Sequence, residues 1–562
     1  MRRRRVAVIC AVALGAAVVV SPGTGRASIA PASVSDGTGP LDTAADLGAA
    51  LALEERLLDH FHYGQPFAQR YNTPERNAGD IETLVGEPDA GLYTGAYLAS
   101  QSYRYVLARQ ELADAEPGDE HDFWSGQLAQ AKDHIDQMVA KYHMLINISR
   151  EWQTTFDPKI NSDRDILDPG YIDFGGGIFP GEPGLLFRVC NPVDAPPHLS
   201  LARYTTKVTL PWEDGKTYHC MGSTSRDQYA GATHGLTTVL NLVGPHDAHL
   251  RNQVAGDLMK MTDYALKYLW FQPRPHGEVV IPELGGNDLE GFISPLFVYT
   301  PMAQMNMLQV ARNAARVAGT DFQRARYEAL WLAELATELP QLAASQLIDN
   351  TSPHDAYYKF HLNHLTGDNL IRLEPDPNVR AMLRHAFGVM DSSTGDDQNA
   401  LFEAITYGLT GQPARLDAGV THHRQWLDYR AHSDAVGNII DYTAECGTTF
   451  QCVPTDQLDV MQNVADTTEL VVPLPGSDPK LRATEPIPVG LRRPADFMWQ
   501  KDPTIIIGCG GGVVPDCNAE EAARWEGDGV DFLQTYWMIR YFTEVAPPPL
   551  EPFPPWLGPT FR

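Results

Sequence analysis

The chain has 562 residues, of which 43 are Lys or Arg and 71 are Asp or Glu, so its formal net charge at pH 7 is −28. Charged residues make up 20% of the chain and hydrophobic residues 43%, which excludes a disordered acidic tail and indicates a chain that folds. The acidity argues against nucleic acid and against anionic membrane surfaces as partners, because both require clustered Lys and Arg.

The first residues have the pattern of an export signal. Arg2–Arg5 are basic, the uncharged apolar run Val6–Val20 follows, and Gly25-Arg26-Ala27 fits a cleavage site between small residues. We therefore predict a signal peptide over residues 1–27 and a secreted protein without a membrane anchor, since the apolar run is too short to span a bilayer. Removing the peptide leaves 38 basic residues against 71 acidic ones, so the mature chain carries −33.

The cysteines indicate an oxidising compartment. Six of the seven lie in the mature chain, and an even number in an exported protein favours disulfides. A zinc site is the competing interpretation, but it needs tighter ligand pairs and no CxxC motif is present. The spacing predicts three local pairs: Cys190–Cys220, Cys446–Cys452 and Cys509–Cys517.

Six apolar segments have the period of a buried helix. In the first of them, positions at steps of four and three are apolar, which forms one helix face; these are Leu92, Ala96, Ala99, Tyr103 and Val106. The six segments begin at Asp89, Arg226, Ser294, His354, Asp396 and Val530.

Most of these segments end in a short turn with Gly or Pro, and a more polar helix follows. Repetition of an apolar helix and an amphipathic helix predicts an array of helical hairpins. Two long insertions, near residues 150–225 and 430–525, interrupt the array and hold all six mature cysteines. We divide the mature chain into an N-terminal segment (28–80), one helical domain (81–546) and a Pro-rich tail (547–562).

Four motifs resemble one superfamily. They are DxGLYTGxY from Asp89, SRDQYxG from Ser225, RRPADFMWQKDP from Arg492 and DFLQTYWMIRYF from Asp531. With the repeat, they make residues 80–545 similar to the six-hairpin glycosidase-like superfamily, which includes glycoside hydrolases and polysaccharide lyases. The resemblance implies a mainly α fold, an (α/α)6 toroid, a carbohydrate substrate, and a central cavity at the start of the inner helices. It assigns no single family.

Acids at the start of the inner helices are the catalytic candidates. Glycoside hydrolysis needs two carboxylates on either side of the bond, and Asp89, Asp227 and Asp396 each open an apolar helix. Helix N-capping is the alternative role for each of them. Arg226 and Gln228 beside Asp227 are polar neighbours that a simple cap does not require, and Tyr93 lies one turn beyond Asp89, so all three are predicted to bind substrate.

A loop carboxylate group, Glu283, Asp288 and Glu290, has three interpretations. It supplies a second catalytic acid, it binds a structural calcium ion near Asp288, or it is an ordinary solvated loop. We expect no other cofactor.

One helix is rich in histidine. His354, His361 and His364 lie at steps of seven and three, and Asp368 continues the same face. Three roles are open: a zinc site, although the HExxH signature is absent; lyase chemistry with Tyr358 as base; or polar lining that contacts substrate.

Aromatic faces pack on sugars, and Trp499, in a Pro-rich loop, is the predicted sugar-binding tryptophan. For Tyr536 and Trp537, inside an inner helix, core packing is the expectation.

We weigh four functions. The first is a secreted glycoside hydrolase that uses an Asp pair on a neutral poly- or oligosaccharide. The second is a polysaccharide lyase that uses Tyr358 and His361 or His364, but the uronic acid polymers that lyases cleave favour a basic cleft, which an acidic chain does not suggest. The third is a non-catalytic carbohydrate-binding or envelope protein, and the fourth is a zinc hydrolase.

Overall fold

The computed structural model describes residues 41, 43–75, 77, 79–151, 154–155, 178–179, 182–204, 207–222, 226–267, 272–273, 279–280, 299–349, 358–394, 399–436 and 524–548. Within these ranges 72% of the residues are helical, and the remaining regular structure consists of a few small sheets. The prediction of a mainly α fold is therefore confirmed, whereas the toroid stays a prediction.

Twelve α-helices are present in the described part of the chain, and the longest have 29 residues. They are α1 (Ala44–Leu57), α2 (Ala90–Asp114), α3 (Asp119–Asn147), α4 (Arg226–Leu242), α5 (Ala248–Lys267), α6 (Tyr299–Ala318), α7 (Asp321–Asp349), α8 (Tyr358–Arg372), α9 (Pro377–Thr394), α10 (Ala400–Thr410), α11 (Pro413–Val436) and α12 (Val530–Arg540).

The helices pack as successive hairpins. Helices α2 and α3 contact each other, as do α4 and α5, α6 and α7, α8 and α9, and α10 and α11. The last helix, α12, follows residues outside the described ranges, and α1 from the N-terminal segment packs against it. The even-numbered helices also contact one another in order, α2 to α4, α6, α8, α10 and α12, and α12 contacts α2. Helix α4 contacts α8 directly as well.

Helices α2 and α4 are packed at backbone distance, side by side. A Cβ atom on Gly95 would lie 2.0 Å from the carbonyl oxygen of Gly231, so only glycine fits there. One turn earlier, a Cβ atom on Gly91 would lie 2.4 Å from Gln228 Oε1. Since the contacts advance in the same direction along both chains, the two helices are parallel and both begin at the same end.

Helix α12 also packs against α2 and has the same direction. Its Trp537 Nε1 and Gln101 Nε2 of α2 both donate to Glu54 of α1, at 3.0 and 2.7 Å. Further along, the rings of Tyr541 and Tyr103 lie 5.1 Å apart. The first turns of α2, α4 and α12 are therefore neighbours at one end of the helices. Tyr536 and Trp537 are fully buried, which confirms their expected place in the core.

Short strands make up the rest of the regular structure in the described residues. They are β1 (Phe61–His62), β2 (Gln65–Pro66), β3 (Ala68–Tyr71), β4 (Ile81–Val85), β5 (Thr154–Thr155), β6 (Ile178–Phe179), β7 (Val189–Pro192), β8 (Lys207–Pro211), β9 (Thr217–Met221), β10 (Gln272–Pro273), β11 (Val279–Val280) and β12 (Trp525–Glu526). Strands β3, β4 and β12 form one antiparallel sheet, and β7, β8 and β9 form another.

The disulfide between Cys190 and Cys220 is confirmed. The two residues are direct partners across β7 and β9, inside the insertion that the sequence predicted between two helical hairpins. The pairs Cys446–Cys452 and Cys509–Cys517 lie outside the described residues.

Two helices were not predicted. Helix α1 lies in the segment assigned to residues 28–80, and α3 follows α2 directly. Three predicted starts match the structure within one residue, those of α2, α4 and α12. None of the described helices is long and apolar enough to cross a membrane.

Candidate functional site

Asp89 lies at the first turn of α2 but does not cap it. It occupies the N-cap position, yet its side chain makes no capping hydrogen bond to that helix. Its carboxylate is 32% exposed, and Arg188 Nη1 lies 3.7 Å from Asp89 Oδ1. Helix N-capping, the alternative role that the sequence left open for Asp89, is therefore not the role of its side chain.

Asp227 and Gln228 open the neighbouring helix, α4. Asp227 is 8% exposed and Gln228 is fully buried. Gln228 Nε2 donates to Asp227 Oδ2 at 3.1 Å, so the amide fixes the orientation of the carboxylate. The other end of the amide reaches Gly91, in the turn of α2 that joins Asp89 to Tyr93.

Two further acids stand where α12 begins. Asp528 and Asp531 are 8% and 3% exposed. Asp528 Oδ1 accepts a hydrogen bond from the Val530 amide at 3.2 Å, and Asp531 Oδ1 accepts one from the Phe532 amide at 2.8 Å. Backbone amides of the first turn thus hold both carboxylates at the positive end of the helix dipole.

Acids from the starts of all three helices affect the Tyr93 phenol. Burial raises the pKa of its partly buried phenol well above the ordinary range, and the negative charges of Asp89, Asp528, Asp531 and Asp227 raise it further, in that order. The Tyr93 hydroxyl therefore stays protonated and is a hydrogen-bond donor at neutral pH. All four carboxylates therefore contribute to the electrostatic environment of this one group.

Strands β2, β7 and β9 position Arg188, a positively charged side chain of the site. Arg188 directly precedes β7, and its amide donates to Met221 O of β9 at 2.9 Å. Gln65 of β2 donates from Nε2 to Arg188 O at 3.3 Å and to Thr94 Oγ1 of α2 at 3.2 Å. The disulfide-bearing sheet and the first hairpin therefore fix Arg188 against the first turn of α2.

The predicted histidines are packed in the interior. His361 and His364 are fully buried. The ring of His364 stacks on Phe402 at 3.8 Å, and its Nε2 lies 3.6 Å from Asp391 Oδ1. Burial, with a contribution from His364, lowers the pKa of His361 to about 3, so His361 is neutral at physiological pH. Both rings thus have the environment of core residues.

Polar side chains also link the inner helices away from the helix starts. Gln534 of α12 and His234 of α4 bond through their nitrogens at 2.9 Å, and His234 Nδ1 lies 3.4 Å from Asp368 Oδ2 of α8. Arg372 pairs with Asp368 and donates to the Tyr103 hydroxyl at 3.0 Å. Burial raises the pKa of Asp368, and Arg372 opposes that rise.

Several predicted site residues lie outside the described ones. They are Asp288, Asp396, Trp499 and the side chains of Arg226 and Tyr358, whose backbones begin α4 and α8. His354 is outside as well. Among the described residues, no group of three or more His, Cys, Asp or Glu side chains has the arrangement of a metal site.

Asp528, Asp531 and Arg188 were missed by the sequence reasoning. Asp531 opens a predicted apolar helix in the same way as Asp89 and Asp227, so the same rule could have found it. Arg188 and Asp528 lie in turns without a helical or strand period, and only the folded chain brings them to the site.

Comparison with protein-family models, with curated proteins and with solved structures gives no significant match to this chain.

Proposed function

We propose that the chain is a secreted glycoside hydrolase built on an (α/α)6 toroid, with its active site at the first turns of α2, α4 and α12. The observation that supports this most is the set of four carboxylates, at the starts of three helices, whose charges all raise the pKa of Tyr93. The cyclic order of contacts among the six even-numbered helices supports the toroid, because a closed ring requires the last helix to meet the first.

The chemistry suits hydrolysis of a glycosidic bond. That reaction needs a proton donor for the leaving oxygen and a second carboxylate as base or nucleophile, and positive charge develops on the sugar ring in the transition state. Asp89 and Asp227, on adjacent helices, are the proposed pair. Asp528 and Asp531 add negative charge that stabilises the transition state electrostatically.

Arg188 and Tyr93 have supporting roles in this proposal. Arg188 holds the Asp89 carboxylate, and Tyr93, as a protonated phenol, donates to a carboxylate or to a sugar oxygen. Gln228 orients Asp227. The negative charge of the chain favours a glycan without acidic groups, as expected from the sequence for a neutral poly- or oligosaccharide.

The lyase hypothesis receives less support. The imidazoles that it would use, His361 and His364, are fully buried, and the ring of His364 packs against Phe387 and Phe402.

The test is a rate measurement with matched variants. Mature protein is incubated with a panel of neutral poly- and oligosaccharides, and newly formed reducing ends are counted. We expect Asp89→Asn and Asp227→Asn each to lower kcat by about a hundredfold or more. The control is Asp321→Asn, an exposed acid in the first turn of the outer helix α7, which should keep the full rate.

Three results would contradict the proposal. Full activity of both Asn variants would make these acids structural. Sugar binding without bond cleavage would favour the non-catalytic hypothesis. An unsaturated product would identify a lyase.

A further inference from the structure

Helix α7 is apolar on two opposite sides, and one of them is exposed. On the inner side Tyr327 and Trp331 are buried. The Tyr327 hydroxyl donates to a carbonyl oxygen of α5 at 3.2 Å, and the Arg312 guanidinium of α6 lies 5.3 Å from the centre of the Trp331 ring. On the outer side Phe322 and Leu332 are 76% and 57% exposed. A helix with apolar residues on both sides is normally covered on both.

The outer apolar residues of α7 have the spacing of helix-to-helix packing. Steps of three, four, three and four separate five exposed apolar positions, which are Phe322, Ala325, Ala329, Leu332 and Ala336. This is the a/d pattern of a coiled-coil seam, and it places the five side chains in one narrow stripe along the helix. We call these five residues the α7 stripe.

Two other helices in the second position of their hairpins face solvent with polar side chains. The exposed residues of α3 include Asp133, Asp136 and Gln137, and those of α5 include Asn252 and Lys267. A helix that only faces water needs no apolar seam on that side. The position of α7 in the fold therefore does not account for its stripe, and a contiguous exposed apolar patch indicates an interaction surface.

The composition of the α7 stripe indicates what covers it. Three of its five residues are alanine, so a covering helix comes close to the α7 backbone. A second copy of the chain provides a helix with the matching stripe. Around a twofold axis parallel to α7, equal positions meet, so Leu332 packs on Leu332 and alanine packs on alanine.

The charges beside the stripe indicate the direction of the pairing. Asp321 directly precedes Phe322, and Arg326 directly follows Ala325, so the two charges flank the seam on opposite sides, at its g and e positions. In a parallel pair Asp321 of each copy faces Arg326 of the other, whereas an antiparallel pair brings like flanks together. Asp321 is 96% exposed. Arg326 pairs with Asp263 through one nitrogen, and its guanidinium has further donors.

We infer that α7 pairs with α7 of a second copy of this chain, side by side and parallel, and that the α7 stripe is the centre of a homodimer interface. The stripe covers residues 322–336, which is about 22 Å of helix. A contact of this length is at the small end of specific interfaces, so the dimer dissociates reversibly, with a Kd of about 1–100 µM. The inference is independent of the proposed reaction.

Sedimentation of the full mature chain over a range of concentrations tests the pairing. We expect an equilibrium between monomer and dimer. Leu332→Glu places two like charges opposite each other in the stripe and should weaken the dimer by at least about tenfold. The control is Leu58→Glu, which makes the same substitution at an exposed leucine directly after α1 and should leave the equilibrium unchanged.

Disulfide trapping tests the direction. Ala336 lies at one end of the stripe, so a parallel pair brings the two copies of this residue together, and an antiparallel pair places Ala336 near Phe322. Ala336→Cys should therefore form a covalent dimer in oxidised glutathione, whereas Ser125→Cys, at an exposed position of α3, should not. Cross-linking of an Ala336→Cys copy only to a Phe322→Cys copy would overturn the parallel pair.

Two other results would overturn the inference. A monomer at every concentration would mean that a second copy does not cover the stripe. A large loss of monomer stability in Leu332→Glu, measured by thermal unfolding and absent in Leu58→Glu, would mean that another part of the same chain covers it.

Discussion

Lys141 is a buried amine beside the disulfide, and its removal should stabilise the protein at neutral pH. The side chain, on α3, is 4% exposed, and Nζ donates to the carbonyl oxygen of Cys190. Burial lowers the pKa of Lys141 from its ordinary 10.5 to about 7. Substitution by Met keeps the length and apolar character of the stem and removes the ionisable group.

The magnitude follows from linkage. Between pH 10.5 and pH 7 the unfolded chain binds a proton at Lys141 that the folded chain does not, so stability falls as pH falls through this range and is constant below it. At about 1.4 kcal/mol per pH unit, the full penalty is about 5 kcal/mol. Loss of the hydrogen bond to Cys190 O costs the Met variant about 1–3 kcal/mol.

Lys141→Met should therefore be more stable than wild type by about 2–4 kcal/mol at pH 6.5, and the sign should reverse between about pH 8 and pH 10. Urea unfolding monitored by circular dichroism across this pH range measures the difference in the free energy of unfolding between the two proteins. The contributions of the other titrating groups cancel in that difference. The control is Lys216→Met, which makes the same substitution at an exposed lysine between β8 and β9. A Lys141→Met protein that is less stable at pH 6.5, with an unchanged difference at pH 9.5, would refute the argument.

Three other changes test the packing and the site. Glu54→Ala should lower the free energy of unfolding by about 3–5 kcal/mol, because it leaves donors of α2 and α12 unpaired in the core. Glu54→Gln should lower it by less, and urea titration compares the two variants. Gly95→Ala should cost about 3 kcal/mol or more, since its Cβ would meet the α4 backbone. Gly126 is an exposed helical glycine where an added Cβ would meet no atom within 4 Å, so Gly126→Ala should raise the free energy of unfolding by about 0.5–1 kcal/mol. Equal effects of the two substitutions would contradict the close approach of α2 and α4 at Gly95. Tyr93→Phe should lower kcat about a hundredfold with unchanged stability, and an unchanged kcat would remove the phenol from the mechanism.

Much of the helical framework was predictable because it depends on local signals. An apolar period of four and three, a preceding acid and a following Gly or Pro located the starts of α2, α4 and α12. The Cys190–Cys220 pair was predictable for a similar reason, since its partners are close in sequence. By contrast, the hydrophobic periods of α1 and α3 did not lead to a prediction of these two helices. Glu54 of α1 accepts hydrogen bonds in the core from helices more than 40 and more than 480 residues away, and no local pattern indicates such contacts.

The site was predictable only in part. Asp89, Asp227, Tyr93 and Gln228 were found because they open apolar helices or lie within one turn of those openings. Their assembly depends on the parallel packing of α2, α4 and α12, which no local pattern specifies. Glycine-to-glycine contact allows the close approach of α2 and α4. Arg188 comes from a strand turn and enters through the pairing of β7 with β9.

A double-mutant cycle on Asp89 and Asp227 tests most directly whether the starts of α2 and α4 form one active site. It compares kcat/KM for wild type, Asp89→Asn, Asp227→Asn and the double variant on a cleaved glycan. Residues that act as a unit have non-additive effects, so we predict a double variant that loses little more activity than the worse single variant. Losses that multiply in the double variant would mean that the two acids act independently, which would contradict a common site.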